Sequence, residues 1–316
     1  MSKTIVHLNA SSLKSEFACG RRWYLTVVEG WKSKRTFNDT EYGSAFHRFV
    51  STWRQTGDEF AGIAAAMKYF DRAAKTYTIR TGKTYLTREH LHAICQDYAL
   101  RYANDEFQTL RLGDQALVEQ KFCIPYFQDD HVEILLEGTI DDLCRNPRGC
   151  YAIRDYKTTA DGDADSYLKG YELSTQLMFY YKAIKWYATQ YPDSILAEFA
   201  ATNFACFIDG IFLRGSSKPV EFIRSDMMFY DTKKIEDFET LLQQACLKIS
   251  SMVKANARPL REGIINGYCF GHYKCPYFLA CAATDVRTEQ YLLENMFKQV
   301  PYEPLKIGVD TNEPNI

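Results

Sequence analysis

The sequence predicts an α/β protein in which a β-sheet is flanked by helices. Three segments alternate polar and apolar side chains and are separated by turn-forming residues, which is typical of neighbouring strands. They are residues 116–126, 132–143 and 150–157. Long segments with helical spacing of apolar residues surround them. At 316 residues and 46% hydrophobic content, the chain is large enough to bury a sizeable core.

The remaining elements are predicted in chain order. The first helix has its N-cap at Ser11 or Ser12 and ends near Glu29, and the second runs from about Asp39 to Gln55. The other predicted elements are helices at 60–76, 87–110 and 172–190, strands at 198–213 and 220–228, and a helix from 231 to about 255. We expect one domain over residues 1–300, with a helical insertion at 56–112, a sheet core at 113–230 and a mobile tail at 301–316.

Two acidic side chains and a lysine mark the ends of two neighbouring predicted strands. Asp141 lies near the end of one strand, and residues 145–149, with a proline and a glycine, form a hairpin turn. Asp155 and Lys157 are two apart on the next strand and therefore project from the same face. They form either a solvated pair or, with Asp141, a site where two carboxylates bind a divalent cation and a lysine acts on a phosphate.

These residues resemble the signature of the PD-(D/E)XK nuclease superfamily, an acidic residue, a hairpin spacer, then Asp or Glu, any residue and Lys. Further motifs occur in the family's order. Gly43 and His47 look like the Gly-x-x-x-His motif of the RecB-like branch, in which the histidine is a metal ligand. Glu119 matches the acidic residue that opens the sheet. Gln176 and Tyr180 match the Gln-x-x-x-Tyr helix that follows, although i and i+4 is also ordinary packing geometry.

The resemblance implies a restriction-endonuclease-like core with a central mixed sheet, and an exonuclease that hydrolyses DNA at its ends with Mg²⁺ or Mn²⁺. The implied ligands are His47, Asp141, Asp155 and the backbone carbonyl of Tyr156. Lys157 would position the attacking water, and Glu119 would hold a second cation or water. Gln176 and Tyr180 would support Lys157 or touch the strand being cut. Asp142 is predicted to point to the opposite face and to be structural.

The cysteines indicate a second metal site. Ten occur, and we expect a cytoplasmic protein because the sequence shows neither a signal peptide nor a membrane span, so that disulfides are disfavoured. Six cysteines lie in apolar segments and are predicted to be small buried hydrophobes, namely Cys95, Cys123, Cys144, Cys150, Cys206 and Cys246. Cys269, Cys275 and Cys281 are equally spaced near the carboxyl end, and Cys19 supplies a fourth thiol.

This arrangement resembles the iron-sulfur members of the RecB-like group, including AddB-type subunits and CRISPR-associated exonucleases. There, one amino-terminal and three carboxyl-terminal cysteines hold a [4Fe-4S] cluster that would staple residues 11–30 to 265–285. The first cysteine interval is longer here than in the commonest family pattern, and His272 stands near the position of the middle cysteine. A zinc site is therefore the alternative, with Cys19, His272 or Cys269, Cys275 and Cys281 as ligands.

The formal net charge of −2 gives no global field that attracts nucleic acid. A bound cation reverses the local charge at a carboxylate site, so DNA remains the expected substrate. Trp23, Tyr24 and Tyr42 are candidates for stacking on unpaired bases, and equally for the core.

The resemblance places the protein in recombination, repair, phage DNA metabolism or CRISPR spacer acquisition. The sequence contains no Walker A motif, so we expect a helicase or a single-strand-annealing protein as partner. A catalytically silent DNA-binding subunit that keeps the fold is the alternative function.

Overall fold

The structure is a computed structural model of the chain, and it describes residues 3–160, 162–214, 219–256, 258–270 and 275–300. The strands are β1 (Thr4–Leu8), β2 (Trp31–Ser33), β3 (Gln108–Thr109), β4 (Arg111–Leu112), β5 (Gln115–Ala116), β6 (Val118–Gln128), β7 (Val132–Arg145), β8 (Tyr151–Thr159), β9 (Ala205–Phe212), β10 (Glu221–Arg224) and β11 (Phe297–Gln299). The predicted tail at 301–316 lies outside the described residues.

The helices alternate with these strands along the chain. They are α1 (Ala10–Ala18), α2 (Gly20–Trp23), α3 (Asn38–Thr56), α4 (Glu59–Ala73), α5 (Arg88–Arg101), α6 (Ala164–Lys169), α7 (Thr175–Gln190), α8 (Ile195–Ala201), α9 (Thr232–Ala255), α10 (Phe278–Cys281) and α11 (Val286–Met296). A π-helical turn at Tyr24–Val28 follows α2, and short 3₁₀ turns occur at Gly170–Leu173, Glu262–Ile264 and Tyr268–Phe270.

The prediction of one helix from Ser11 to Glu29 was wrong. Its N-cap is Asn9, whose side chain accepts a hydrogen bond from the Ser12 amide while Ser12 Oγ accepts from the Asn9 amide. This reciprocal pair is a capping box, which satisfies two backbone donors that the helix cannot. The helix ends at Cys19, whose backbone is extended, and a new turn begins at Gly20.

Two other boundaries also differ from the predictions. The segment predicted as a strand from residue 198 begins as helix α8, because Ser194 caps it by accepting from the Ala197 amide. The helix predicted to reach residue 110 ends at Arg101, and residues 108–109 form a strand instead. The predicted strands at 132–143 and 150–157 are present with slightly wider bounds.

The residues cluster into two compact units. One comprises the described residues up to Lys34, then Phe122–Gly138, and those from Thr232 onward; the other comprises Arg35–Lys121 and Thr139–Asp231. In the first, β1 runs parallel to the 132–136 half of β7. The expectation of a single domain over residues 1–300 stays a prediction.

The second unit contains a mixed sheet with helices on it, which confirms the predicted fold class. The carboxyl-terminal part of β7 pairs antiparallel with β8, β8 runs parallel to β9, and β9 pairs antiparallel with β10. Helices α3, α4 and α5 pack together on a buried aromatic core that includes Phe46, Phe49, Tyr98 and Tyr156. The side chain of Tyr156 comes from β8, so this core anchors the helices to the sheet.

Candidate active site and cysteine cluster

The ladder between β7 and β8 ends where the predicted site begins. The pair of residues nearest the site in this ladder is Asp142 with Arg154. Beyond that pair, the carboxylate of Asp141 accepts the Tyr156 amide hydrogen bond at 3.0 Å, in place of a backbone carbonyl. Asp155 is buried, and Lys157, two residues on, lies 2.5 Å from it between Nζ and Oδ2. The end of the hairpin therefore gathers two carboxylates and an ammonium group.

Helix α3 brings His47 to the same place because a glycine precedes it by one turn. A Cβ on Gly43 would lie 2.9 Å from Thr158 Oγ1, closer than real Cβ atoms approach. Without that Cβ the helix approaches β8, and His47 Nε2 lies 3.1 Å from the Tyr156 carbonyl oxygen. Its other nitrogen, Nδ1, is 3.6 Å from Asp141 Oδ2.

Glu119 reaches the site through an uncommon backbone conformation. Its φ is +50°, in the left-handed region that residues with a Cβ adopt rarely and at a cost of about 1 kcal/mol. Its Oε1 lies 3.6 Å from His47 Nδ1. Backbone strain of this kind persists where surrounding structure holds it, and it is concentrated at functional sites.

Three of these side chains form a set of the size that a metal ion needs. Each of His47, Glu119 and Asp141 offers one nitrogen or oxygen atom that could bind a metal, and these three atoms lie within 4.8 Å of one another. Imidazole and carboxylate together suit Mn²⁺ and, with water, Mg²⁺. The Tyr156 carbonyl is adjacent through its contact with His47. The donor set therefore fits a divalent cation, and it includes Glu119 more directly than the sequence indicated.

Asp155 lies in a second group of contacts beside this set. Gln176 Nε2 donates to Asp155 Oδ1 at 3.0 Å, and the Tyr180 hydroxyl lies 3.5 Å from the same oxygen. Gln176 Nε2 also donates to the Tyr180 hydroxyl. The sequence predicted that these two residues of α7 support Lys157 or touch the substrate; the structure places them on the carboxylate that pairs with Lys157.

The charges at the site are crowded and buried. Burial raises the pKa of Asp141, and it raises the pKa of Asp155 to about 6 against the opposing charge of Lys157. Burial alone would lower the pKa of His47, but the carboxylates of Asp141 and Glu119 outweigh it and raise that pKa to about 9. Such a site favours additional positive charge, which a divalent cation supplies.

A cleft of about 500 Å³ opens over these residues. Its lining includes His47, Glu119 and Lys157 together with Arg48 and Tyr69. The reactive groups are therefore accessible from solvent, with a cationic and an aromatic side chain beside them.

An ion-pair network that the sequence analysis missed lies on the opposite face of the hairpin. Arg154 is fully buried and donates to Asp142 Oδ2 from Nε at 2.9 Å, and it also pairs with Asp105. Arg224 bridges Asp105 and Asp209 with bonds of 2.7 to 2.9 Å. The available signal was an arginine inside an apolar strand, because a buried guanidinium requires carboxylate partners.

The cysteine site lies within the other unit. A Cβ on Gly263 would be 3.0 Å from Cys269 Sγ and 3.5 Å from Cys19 Sγ, so the glycine leaves room for two neighbouring thiols from distant parts of the chain. The Cys275 amide donates to the Cys269 carbonyl at 3.4 Å. Burial raises the pKa of the Cys281 thiol to about 11, and the neighbouring thiol of Cys275 makes a smaller contribution in the same direction. His272 lies outside the described residues.

The aromatic residues considered for base stacking are in the core. Trp23 and Tyr42 are fully buried, and Tyr24 is 7% exposed. The stacking hypothesis for these three residues was therefore wrong, because a buried ring offers no face to a base.

A family profile of the PD-(D/E)XK nuclease superfamily matches residues 7–282. The chain belongs to this superfamily of nucleases. Among solved structures, it resembles a candidate exonuclease from Eubacterium rectale with 10% identity and a TM-score of 0.46, covering 88% of this chain and 94% of that one. It also resembles the protein SSO0001, with 10% identity, a TM-score of 0.27, and coverage of 75% and 84%. A search of curated proteins gave no match.

In the described part of the chain, no helix is both long and apolar enough to cross a membrane.

Proposed function

We propose that the protein is a divalent-metal-dependent deoxyribonuclease that degrades DNA from its ends. The observation that carries this proposal is the convergence of His47, Glu119 and Asp141 within 4.8 Å, beside the Asp155–Lys157 pair. Membership of a nuclease superfamily supports hydrolysis of a phosphodiester. Action at ends, rather than within a strand, rests on the resemblance to RecB-like exonucleases.

The proposed cation site consists of His47, Glu119, Asp141 and the Tyr156 carbonyl, with Asp155 completing it. A bound Mg²⁺ or Mn²⁺ would neutralise charge on the scissile phosphate and favour ionisation of water. His47 is held for this role by Gly43, which lets α3 approach β8. The sequence-based ligand set assigned Glu119 to a second cation or a water, whereas the proposed site includes Glu119 among the ligands of the same cation as His47 and Asp141.

Lys157 is the proposed group that acts on the reacting atoms. Its ammonium lies at the rim of the cleft, next to Asp155, where it can hold the attacking water by a hydrogen bond and stabilise negative charge on the phosphate. Gln176 and Tyr180 fix Asp155 Oδ1, so they act as positioning residues through that carboxylate.

We further propose that Cys19, Cys269, Cys275 and Cys281 hold a [4Fe-4S] cluster. Cys19 and Cys269 are neighbours on either side of Gly263, and the Cys275 amide donates to the Cys269 carbonyl. Four thiolates suit a cluster of this kind. The preference for the cluster over zinc rests on the resemblance to the iron-sulfur members of the RecB-like group.

Recombination, repair, phage DNA metabolism and CRISPR adaptation are the proposed settings, with a helicase or a single-strand-annealing protein as partner. This part of the proposal rests on the family resemblance alone.

The experiment is digestion of end-labelled single-stranded and double-stranded linear DNA, beside a closed circle, with Mg²⁺, Mn²⁺ or EDTA. The proteins compared are wild type, Lys157→Ala and, as control, Lys233→Ala at an exposed position of α9. We expect metal-dependent loss of linear DNA only, abolished by Lys157→Ala and unaffected by the control.

Cutting of the circle would replace the exonuclease assignment with an endonuclease. Wild-type protein with an intact metal complement that binds DNA but never cuts it would establish the silent binding subunit instead.

A further inference from the structure

Helix α4 carries a second groove, separate from the catalytic residues. The groove has a volume of about 680 Å³ and lies between α4 and α5. Its floor is apolar and includes Ile63 and Met67, and Phe60 stands at its edge with 70% of its surface exposed. A single exposed phenylalanine is ordinary at a protein surface, but here the ring adjoins the apolar floor of a groove, so together they offer an apolar and aromatic face to a ligand.

The walls of this groove are basic. Lys68, Arg72, Lys75 and Arg88 line it, and all are exposed. Arg88 is paired with Asp71 at 2.9 Å. For Lys68, Arg72 and Lys75, no carboxylate in the described ranges forms an ion pair.

Part of this positive charge does not stabilise the helix that carries it. Lys68 and Arg72 are four residues apart, so they are neighbours on one face of α4, where like charges cost a few tenths of a kcal/mol. Arg72 and Lys75 lie near the carboxyl end of the helix, where its dipole favours cations, but Lys68 is a turn earlier. The chain as a whole is slightly acidic, with a net charge of −2. The basic side chains that line the groove are therefore a local concentration of positive charge, complementary to a polyanion.

One tyrosine ring contacts an arginine of the groove and an arginine of the catalytic cleft. Tyr69 lines the cleft, and the guanidinium of Arg72, which lines the groove, lies 5.5 Å from the centroid of its ring. On the cleft side, Arg48 lies 5.9 Å from the same centroid. The Tyr69 hydroxyl donates to Glu41 at 2.8 Å, which holds the ring between the two arginines.

We propose that this groove binds the unpaired strand of a DNA substrate and leads it past Arg48, Tyr69 and Arg72 to the catalytic cleft. The proposal deepens the nuclease function and rests on it. Phosphates would contact Lys68, Arg72 and Lys75, and bases would lie on Phe60 and the apolar floor. A duplex presents phosphates but hides its base faces, so the apolar floor and the exposed ring favour a single strand.

The test is binding of 5′-fluorescein oligothymidylates, from about 4 to about 30 nucleotides, followed by anisotropy in EDTA over a range of salt. The charge-reversal variant is Lys68→Glu/Arg72→Glu. Its matched control is Lys233→Glu/Lys254→Glu, which changes the net charge equally at exposed positions of α9. Phe60→Ala tests the stacking face, and urea unfolding verifies that each variant is folded.

We expect wild-type affinity to rise with oligonucleotide length and the charge-reversal variant to bind the longest oligonucleotide at least about ten-fold more weakly. Its slope of log K against log salt should fall by about 1.4, because each lost phosphate contact on a single strand removes about 0.7. Phe60→Ala should weaken binding by about 5-fold or more with the wild-type salt slope, since a stacking contact releases no counterions.

Wild-type affinity and salt slope in the charge-reversal variant would overturn the proposal, as would wild-type protein that binds no oligothymidylate. Equal binding of duplex and single strand, with no effect of Phe60→Ala, would overturn the assignment to a single strand. These measurements need no cleavage, so a protein that bound through the groove but never cut DNA would refute the nuclease function alone.

Discussion

Gly43 lies so close to Thr158 that a Cβ on the glycine would come within 2.9 Å of the threonine Oγ1. This contact sets the distance between α3 and β8, and with it the 3.1 Å contact of His47 Nε2 with the Tyr156 carbonyl. The glycine of the Gly-x-x-x-His motif therefore has a physical role in bringing an imidazole to the end of a hairpin.

Gly43→Ala should impair catalysis more than folding. The added methyl group displaces α3 from β8, and displacements of about 1 Å at a reacting centre can cost about 100-fold in rate. We expect a higher Mn²⁺ concentration for half-maximal DNA cleavage, with a melting temperature close to that of wild type.

The double variant Gly43→Ala/Thr158→Ala removes the atom that the methyl group would meet. Activity at limiting Mn²⁺ should recover in part. If the double variant is no better than Gly43→Ala, the Thr158 contact does not set the position of His47.

Arg154→Met should strongly destabilise the protein. The substitution leaves the carboxylate of Asp142 buried without its cation, whereas Asp105 keeps Arg224, and breaking a buried pair in this way costs about 3–5 kcal/mol. Urea unfolding measures the loss of free energy of unfolding. The control is Arg88→Met, whose pair with Asp71 is about half exposed and should contribute less than about 1 kcal/mol. Equal losses in the two variants would show that the buried network contributes no more than a surface pair.

His7 should make stability depend on pH in the alkaline range. Its contacts with Cys123 Sγ at 4.0 Å and with Glu137 Oε2 at 3.3 Å outweigh burial and raise the pKa of the imidazole from 6.5 to about 9. The folded state binds this proton more tightly than the unfolded state. The stabilisation is therefore complete below pH 6.5 and is lost as pH rises towards 9 and beyond, by about 3 kcal/mol at most.

Urea unfolding at intervals between pH 6 and pH 10 tests this prediction. His7→Gln should flatten the alkaline decline, whereas His131→Gln, at an exposed histidine, should keep it. A decline of wild-type size in His7→Gln would assign the effect to another group.

Cys19→Ala should remove the proposed cluster. Anaerobically purified wild-type protein should be brown and contain about four iron atoms per chain. Cys19→Ala should lose iron and melt at a lower temperature, because a ligand from the amino-terminal segment would be missing. Cys95→Ala is the matched control, since Cys95 is also buried but lies in the core of the helical insertion. Colourless wild-type protein with one zinc would support the zinc alternative instead.

Much of the local structure was predictable because it depends on near neighbours. The alternation of residues 132–143 and 150–157 predicted the hairpin, and the two-residue spacing of Asp155 and Lys157 placed them on one face. The first helix was mispredicted because Asn9 and serine are comparable N-caps, and only the geometry shows the reciprocal bonds of Asn9 with Ser12 and the extended backbone of Cys19 that ends the helix.

The sequence by itself determined the α/β class and the order of acidic and basic residues that resembles the superfamily signature. Only the tertiary structure decided which of those residues meet. It brought Glu119, in its left-handed conformation, to His47 and Asp141, placed Gln176 and Tyr180 on Asp155, and paired Arg154 with Asp142 and Asp105. The physical reason is that these contacts join residues far apart in the chain, and their distances depend on how closely helices approach strands.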